Sequence, residues 1–148
     1  MDGGLLGASV RTLRLPVPDR WRRIEAVVQV TRASVELRVL PSRRTVRLLG
    51  AHQPAGADAQ VPDDRLREAL QIGGAVSRVS RRLPWHPTCL RQALAAQRML
   101  RRRGIACKLH LGVTSPGALE AHAWVTVGGE AVVGRPGLER FVPLAAFE

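Results

Sequence analysis

Two residue types in this 148-residue chain can do covalent chemistry at neutral pH: cysteine, at 89 and 107, and histidine, at 52, 86, 110 and 122. A thiolate nucleophile needs an imidazole in reach and something to orient that imidazole. Cys89 is the residue whose surroundings suit the task. It follows Pro87 and Thr88 and opens a run in which Leu90, Ala93, Leu94, Gln97 and Leu100 recur at helical spacing. Thr88 is placed to cap that helix, which puts Cys89 in its first turn. Unpaired backbone N–H groups and the helix dipole favour an anion there, and so a thiolate. Arg101, Arg102 and Arg103 fall in the last turn, and Gly104 follows as the stop. His122 opens an apolar stretch, HAWVTV, that reads as a strand with His122 and Trp124 on one face and Ala123 and Val125 on the other. Cys107 lies mid-strand between Ala106 and Lys108 and reads as core.

Those residues carry a resemblance. Cys89-Leu90-Arg91, the arginine run before Gly104-Ile105, Leu111-Gly112-Val113 and Ala121-His122-Ala123-Trp124-Val125 resemble the transglutaminase-like cysteine proteases of lasso-peptide biosynthesis. The likeness covers roughly residues 63–148; the front half is similar in character only. It implies Cys89 as nucleophile and His122 as general base, on a helix tip facing a sheet. It also implies a third member, an Asp on the strand after the histidine. No Asp occurs after Asp64. Glu139, in the loop beyond that strand, is the substitute carboxylate to consider, with a backbone carbonyl or water as the other orienting groups. A two-residue turn at Gly128-Gly129 puts His122 opposite Arg135; a three-residue loop puts it opposite Gly134. Trp124, Trp85 and His86 are the substrate-side candidates. Trp124 is also suited to shielding the ion pair or to core packing, and His86 to a solvated loop. The oxyanion falls to backbone N–H groups such as that of Cys89, since the chain has no Asn and Gln92 lies inside the helix.

Composition bounds the rest. The length suits one domain with a real core. The net charge is +11, with one lysine among 23 basic residues. It is spread along the chain, so no single basic tail exists. Such a surface suits nucleic acid, an anionic membrane or an acidic partner; no zinc-finger, RNA-binding or helix-turn-helix pattern supports nucleic acid. Four histidines and two cysteines show no zinc spacing, and phosphate-loop and dinucleotide motifs are absent, so no metal or cofactor is expected. The start lacks a charged segment followed by an apolar core, so a cytoplasmic location with free thiols is expected. No run reaches the roughly 18 apolar residues of a membrane span.

Element by element, residues 10–17 suggest a short strand and Asp19 a cap for a helix over about 20–40. Its stripe, Trp21, Ile24, Val27, Val28, Thr31, Val35 and Leu40, reads as a core face, with a membrane-surface or partner-docking helix as alternatives. Pro41 and Gly50 bound a short helix that Ser42 can cap. Residues 51–62 read as a linker, with His52 solvated. A third helix over about 64–83 contains Gly73 and Gly74, which suggests close packing against the Cys89 helix. Two strands, the Gly-Gly hairpin, a loop and a closing segment over 141–147 follow.

The expected fold is therefore α+β: N-terminal helices, then a Cys-bearing helix packed on a small antiparallel sheet, papain- or transglutaminase-like. The front segment is 1–62 and the protease core 63–148, together one compact domain. The resemblance implies a peptidase that removes the leader from a lasso-peptide precursor. It would work with a separate leader-binding protein, the RiPP recognition element, and beside a macrolactam-forming cyclase. Peripheral membrane association is a further expectation. The alternatives are an acyltransferase or transglutaminase on the same Cys–His pair, or a non-catalytic scaffold of the same pathway.

Overall fold

The computed structural model describes residues 19–53, 58–114 and 120–148; the strand expected over 10–17 and the loop over 115–119 lie outside them. Four helices come first: α1 (Asp19–Val39), α2 (Ser42–Leu49), α3 (Asp63–Arg82) and α4 (Cys89–Arg102). Five strands complete the fold: β1 (His52–Gln53), β2 (Lys108–Thr114), β3 (Ala121–Val127), β4 (Glu130–Val133) and β5 (Phe141–Phe147). The sheet is antiparallel throughout its pairings, in the order β1-β5-β2-β3-β4. This is the expected α+β architecture.

Helix α4 ends as its sequence dictates. Gly104 takes φ +65°, its N–H reaches Arg101 O, and Ile105 N–H reaches Leu100 O. This double closure satisfies carbonyls that the last turn leaves open. Cys107 Sγ then approaches Gln97 O at 4.0 Å. The chain has thus turned back alongside α4 before β2 begins.

One apolar core joins the front helices to the sheet. Ala26, Val30 and Ala33 of α1, Ile72 and Val76 of α3, and Leu94, Met99 and Leu100 of α4 are fully buried with Leu109 and Val125 of the sheet. Arg103 ties three helices together, pairing with Glu25 at 2.5 Å and with Glu68 at 3.4 Å. Gln97 is buried completely, and its amide donates to Leu49 O at 2.9 Å and Phe147 O at 3.3 Å. A side chain that reads as one more core position is thereby the polar link between α4, the end of α2 and the end of β5.

Several sequence expectations are corrected. The α1 stripe faces outward: Trp21, Ile24, Val28 and Val35 are all exposed, and the small residues Ala26 and Ala33 form the core face with Val30. Small side chains let α3 and α4 approach closely, which outweighs the size of the other stripe. Arg22, off that stripe, is buried, 7% exposed. Gly73 packs against β4, not α4: a Cβ there would overlap Val132 O. The 51–62 linker includes β1; His52 on it is exposed, as expected, with its ring edge-on to Phe147 at 5.7 Å. The closing segment is β5, hydrogen-bonded to β2 inside the sheet.

Candidate active site

The site is built where α4 begins. Thr88 occupies the cap position, and its side chain makes no capping hydrogen bond. The first-turn N–H groups are therefore not spent on it, as an anion site requires. Gln92 closes the loop ahead of the helix by donating its side-chain amide to Pro87 O at 2.9 Å. That fixes the entry to Cys89, and it commits Gln92 elsewhere than an oxyanion. Cys89 is half-buried, carries a free thiol and rests against the edge of the core. Cys107 is free too, but buried, and burial pushes its thiol up to about 11. It is protonated and inert at neutral pH.

His122 is carried by the sheet. Gln97 of α4 donates to Phe147 O, Phe147 pairs with Leu109, and Leu109 pairs with Val125, so α4 is linked through β5 and β2 to β3, on which His122 stands three residues before Val125. Among the described residues no hydrogen bond joins His122 to Cys89.

The imidazole has a defined partner. His122 Nε2 lies 2.9 Å from Gly134 O. A carbonyl oxygen only accepts, so Nε2 carries the proton and Nδ1 keeps the ring's lone pair in the neutral form. The hairpin produces this contact. Gly128 and Gly129 take φ +58° and +82°, and Val127 pairs with Glu130 across them. A bulge between Val125 and Thr126 then shifts the register, and His122 meets Gly134, the residue that the three-residue count names, although the turn itself is the two-residue one. Gly134, at φ +77°, has no room for a side chain: a Cβ would lie 2.7 Å from Ala123 O and 3.1 Å from His122 Nε2.

Two aromatic rings pack near the imidazole. Phe141 stacks on His122 with centroids 4.7 Å apart and Trp124 lies at 6.1 Å on the strand's same face. Trp124 in turn stacks on His110 at 5.2 Å, and His110 Nε2 is 2.8 Å from Thr126 Oγ1. Burial lowers the pKa of His110, so it supplies a neutral ring to this ladder. Gly112, opposite His122 in the register, makes the space: a Cβ there would meet the Trp124 indole at 2.9 Å. Phe141 was not singled out from sequence as a site residue. Its signal there is faint, a phenylalanine after a Gly-Pro loop.

The remaining candidates are dispersed. Trp124 is 6% exposed, so it contacts His122 more than solvent. Trp85 and His86 are exposed in the loop before α4, and His86 is the one non-glycine residue among those described with positive φ, at 43°. Glu139 is exposed in the 3-10 turn Leu138–Arg140, and among the described residues it makes no bond to His122. Glu130 pairs with Arg135 at 3.4 Å. No group of three or more potential metal ligands forms among the described residues, and none of their helices is long and apolar enough to cross a membrane.

Neither a curated protein nor a solved structure matches the chain. A family model does, that of the transglutaminase-like superfamily, over residues 15–146. The match extends through α1 and α2, beyond the 63–148 segment in which the sequence likeness is strongest. A half-buried cysteine at a helix N-terminus, a strand-borne histidine in an α+β domain, and a match over nearly the whole chain lead to one assignment: the chain belongs to the transglutaminase-like superfamily.

Proposed function

We propose that the chain is a cysteine peptidase working through Cys89 and His122, and that its substrate is the leader-bearing precursor of a lasso peptide. The observation that carries the chemistry is the Nε2–H of His122 held on Gly134 O. It fixes the tautomer in which Nδ1 is the base, the role an Asp has in the relatives. Nδ1 takes the thiol proton of Cys89 as Sγ attacks the scissile carbonyl. First-turn N–H groups of α4 hold the oxyanion. The imidazolium returns its proton to the leaving amine as the C–N bond breaks, leaving a thioester. Water, deprotonated by the same nitrogen, hydrolyses the thioester and regenerates the thiol.

A cysteine enzyme tolerates a carbonyl in place of an Asp better than a serine enzyme does. The thiolate–imidazolium pair can form before substrate arrives, and the helix N-terminus favours the thiolate. The lasso-precursor reading is supported by the residues around Cys89 and His122. It implies a separate recognition element delivering the leader, with the cyclase acting after cleavage.

The test is incubation of purified chain with precursor and recognition element, with products read by mass spectrometry. Separate leader and core masses, absent with Cys89→Ala, are expected. Superfamily membership accommodates an amine acceptor equally well. Added small amine appearing on the leader C-terminus in preference to water would assign acyl transfer instead. An inert wild type with correct partners would assign a scaffold role.

A further inference from the structure

Six of the ten exposed large apolar side chains among the described residues sit on α1. Trp21, Ile24, Val28, Val35 and Val39 are 55%, 51%, 55%, 56% and 73% exposed, and their spacing of three, four and seven residues sets them on one stripe through Thr31. The helix has 21 residues, so the ridge is about 30 Å long. Its opposite face, Ala26, Val30 and Ala33, is already committed to the core.

The charges around this ridge are sorted by sign. All three carboxylates of α1 are paired: Asp19 with Arg23 at 2.6 Å, Glu25 with Arg103, and Glu36 with Arg32 at 2.8 Å and with Arg98. Exposed Arg20 and Arg38 beside the ridge have no carboxylate partner among the described residues. The following helix, α2, adds exposed Arg43, Arg44 and Arg47 in the same condition, with Val46 54% exposed. The result is a convex apolar ridge whose free charges are all positive.

We infer that α1 lies on the surface of a bilayer rich in anionic phospholipid, parallel to the membrane plane. Apolar side chains with a Trp at one end and Arg at the margins are what such an interface takes, acyl boundary for the former and phosphates for the latter. A second copy of the chain would bring the same cations against these and repel. A protein partner would need an apolar groove with an acidic rim to receive a convex ridge; a bilayer needs no such match. The inference is independent of the chemistry at Cys89.

The experiment is co-sedimentation of the full chain with vesicles of equimolar phosphatidylglycerol and phosphatidylcholine, or of phosphatidylcholine alone, at low and high salt. Pelleting with the anionic vesicles only, weakening with salt, is expected. Trp21 emission should shift to the blue on binding, and Trp21→Phe should remove that shift. Val28→Glu with Val35→Glu, both at exposed positions, should lower the bound fraction about tenfold or more while circular dichroism and the melting curve stay unchanged. Equal binding to both vesicle types, no binding to either, or full binding by the double variant would overturn the inference. A wild-type dimer that the double variant turns into a monomer would assign the ridge to a second copy and overturn it as well.

Discussion

His122 and Gly134 are joined by a single hydrogen bond, 2.9 Å from Nε2 to the backbone oxygen. In the proposed mechanism that bond takes the place of a carboxylate, and it is made at a glycine whose φ of +77° only the absence of a side chain makes easy. An oxygen of the main chain cannot be removed by substitution, but the geometry that aims it can.

Gly134→Ala should therefore damage the site through the backbone. The new Cβ meets Ala123 O, Trp124 Cβ and His122 Nε2 at 2.7, 2.9 and 3.1 Å. A loss of about 1–3 kcal/mol in stability is expected from strain at such a position, with a larger fractional loss in kcat. Gly134→Asp should fare no better, despite restoring a carboxylate. Urea unfolding and turnover measured on both variants provide the check. A faster Gly134→Asp enzyme would show that the carbonyl is not the orienting group.

Glu139→Gln is the complementary experiment. With His122 already bonded to Gly134 O, the rate should stay within about twofold of wild type, since this exposed carboxylate removes no interaction the transition state uses. A drop of about tenfold or more would show that the loop carries Glu139 to the imidazole during turnover.

Phe141→Leu should lower kcat about three- to tenfold with KM little changed, because the stacked ring fixes the imidazole without needing to touch substrate. Phe141→Tyr keeps the stack and should restore most of the rate. Nuclear magnetic resonance of the His122 ring gives the second readout: its ring shifts should move in the Leu variant and not in the Tyr variant. Unmoved His122 signals in Phe141→Leu would reduce Phe141 to packing.

Iodoacetamide should alkylate Cys89 far faster than Cys107 at pH 7. The Cys107 thiol is buried, and burial raises it from the ordinary 9.0 to about 11. The sign for stability follows from the same shift. Its folded thiol holds the proton more tightly than the unfolded one, so its contribution is complete below about pH 9 and is lost as pH rises toward 11. Cys107→Ala should flatten that alkaline loss in a pH series of melting temperatures.

At the acid end, Glu36 works in the opposite sense. Burial pushes its carboxyl up, but hydrogen bonds and charge from Arg32 and Arg98 outweigh this and hold it below 4.5. Its stabilising contribution is present above about pH 4.5 and disappears as pH falls through the lowered folded value. Glu36→Gln should remove part of the acid-side slope of stability, measured by melting temperature between pH 3 and 6, about where carboxylates titrate.

The sequence alone carried the local structure around the chemistry. Three arginines before Gly104, alternation through HAWVTV and the Gly128-Gly129 turn each have a short-range cause, a helix stop, a pleat or a positive φ, and each was readable without neighbours; Thr88 stands at the cap position of α4 as its sequence suggests, but its side chain makes no capping bond. Tertiary structure decided what depends on partners distant in the chain. Which stripe of α1 is buried was settled by how closely α3 and α4 approach, so Ala26 and Ala33 went inside and Trp21 and Val28 stayed out. Gly73 answers to Val132, about sixty residues on, and Gln97 to Leu49 and Phe147. The group that holds His122 was legible only as alternatives: a backbone carbonyl and a facing Gly134 were both among them, and nothing in the sequence chose them over Glu139. A one-residue bulge shifts every partner beyond it, and a backbone oxygen leaves no trace in the identity of the residue that offers it.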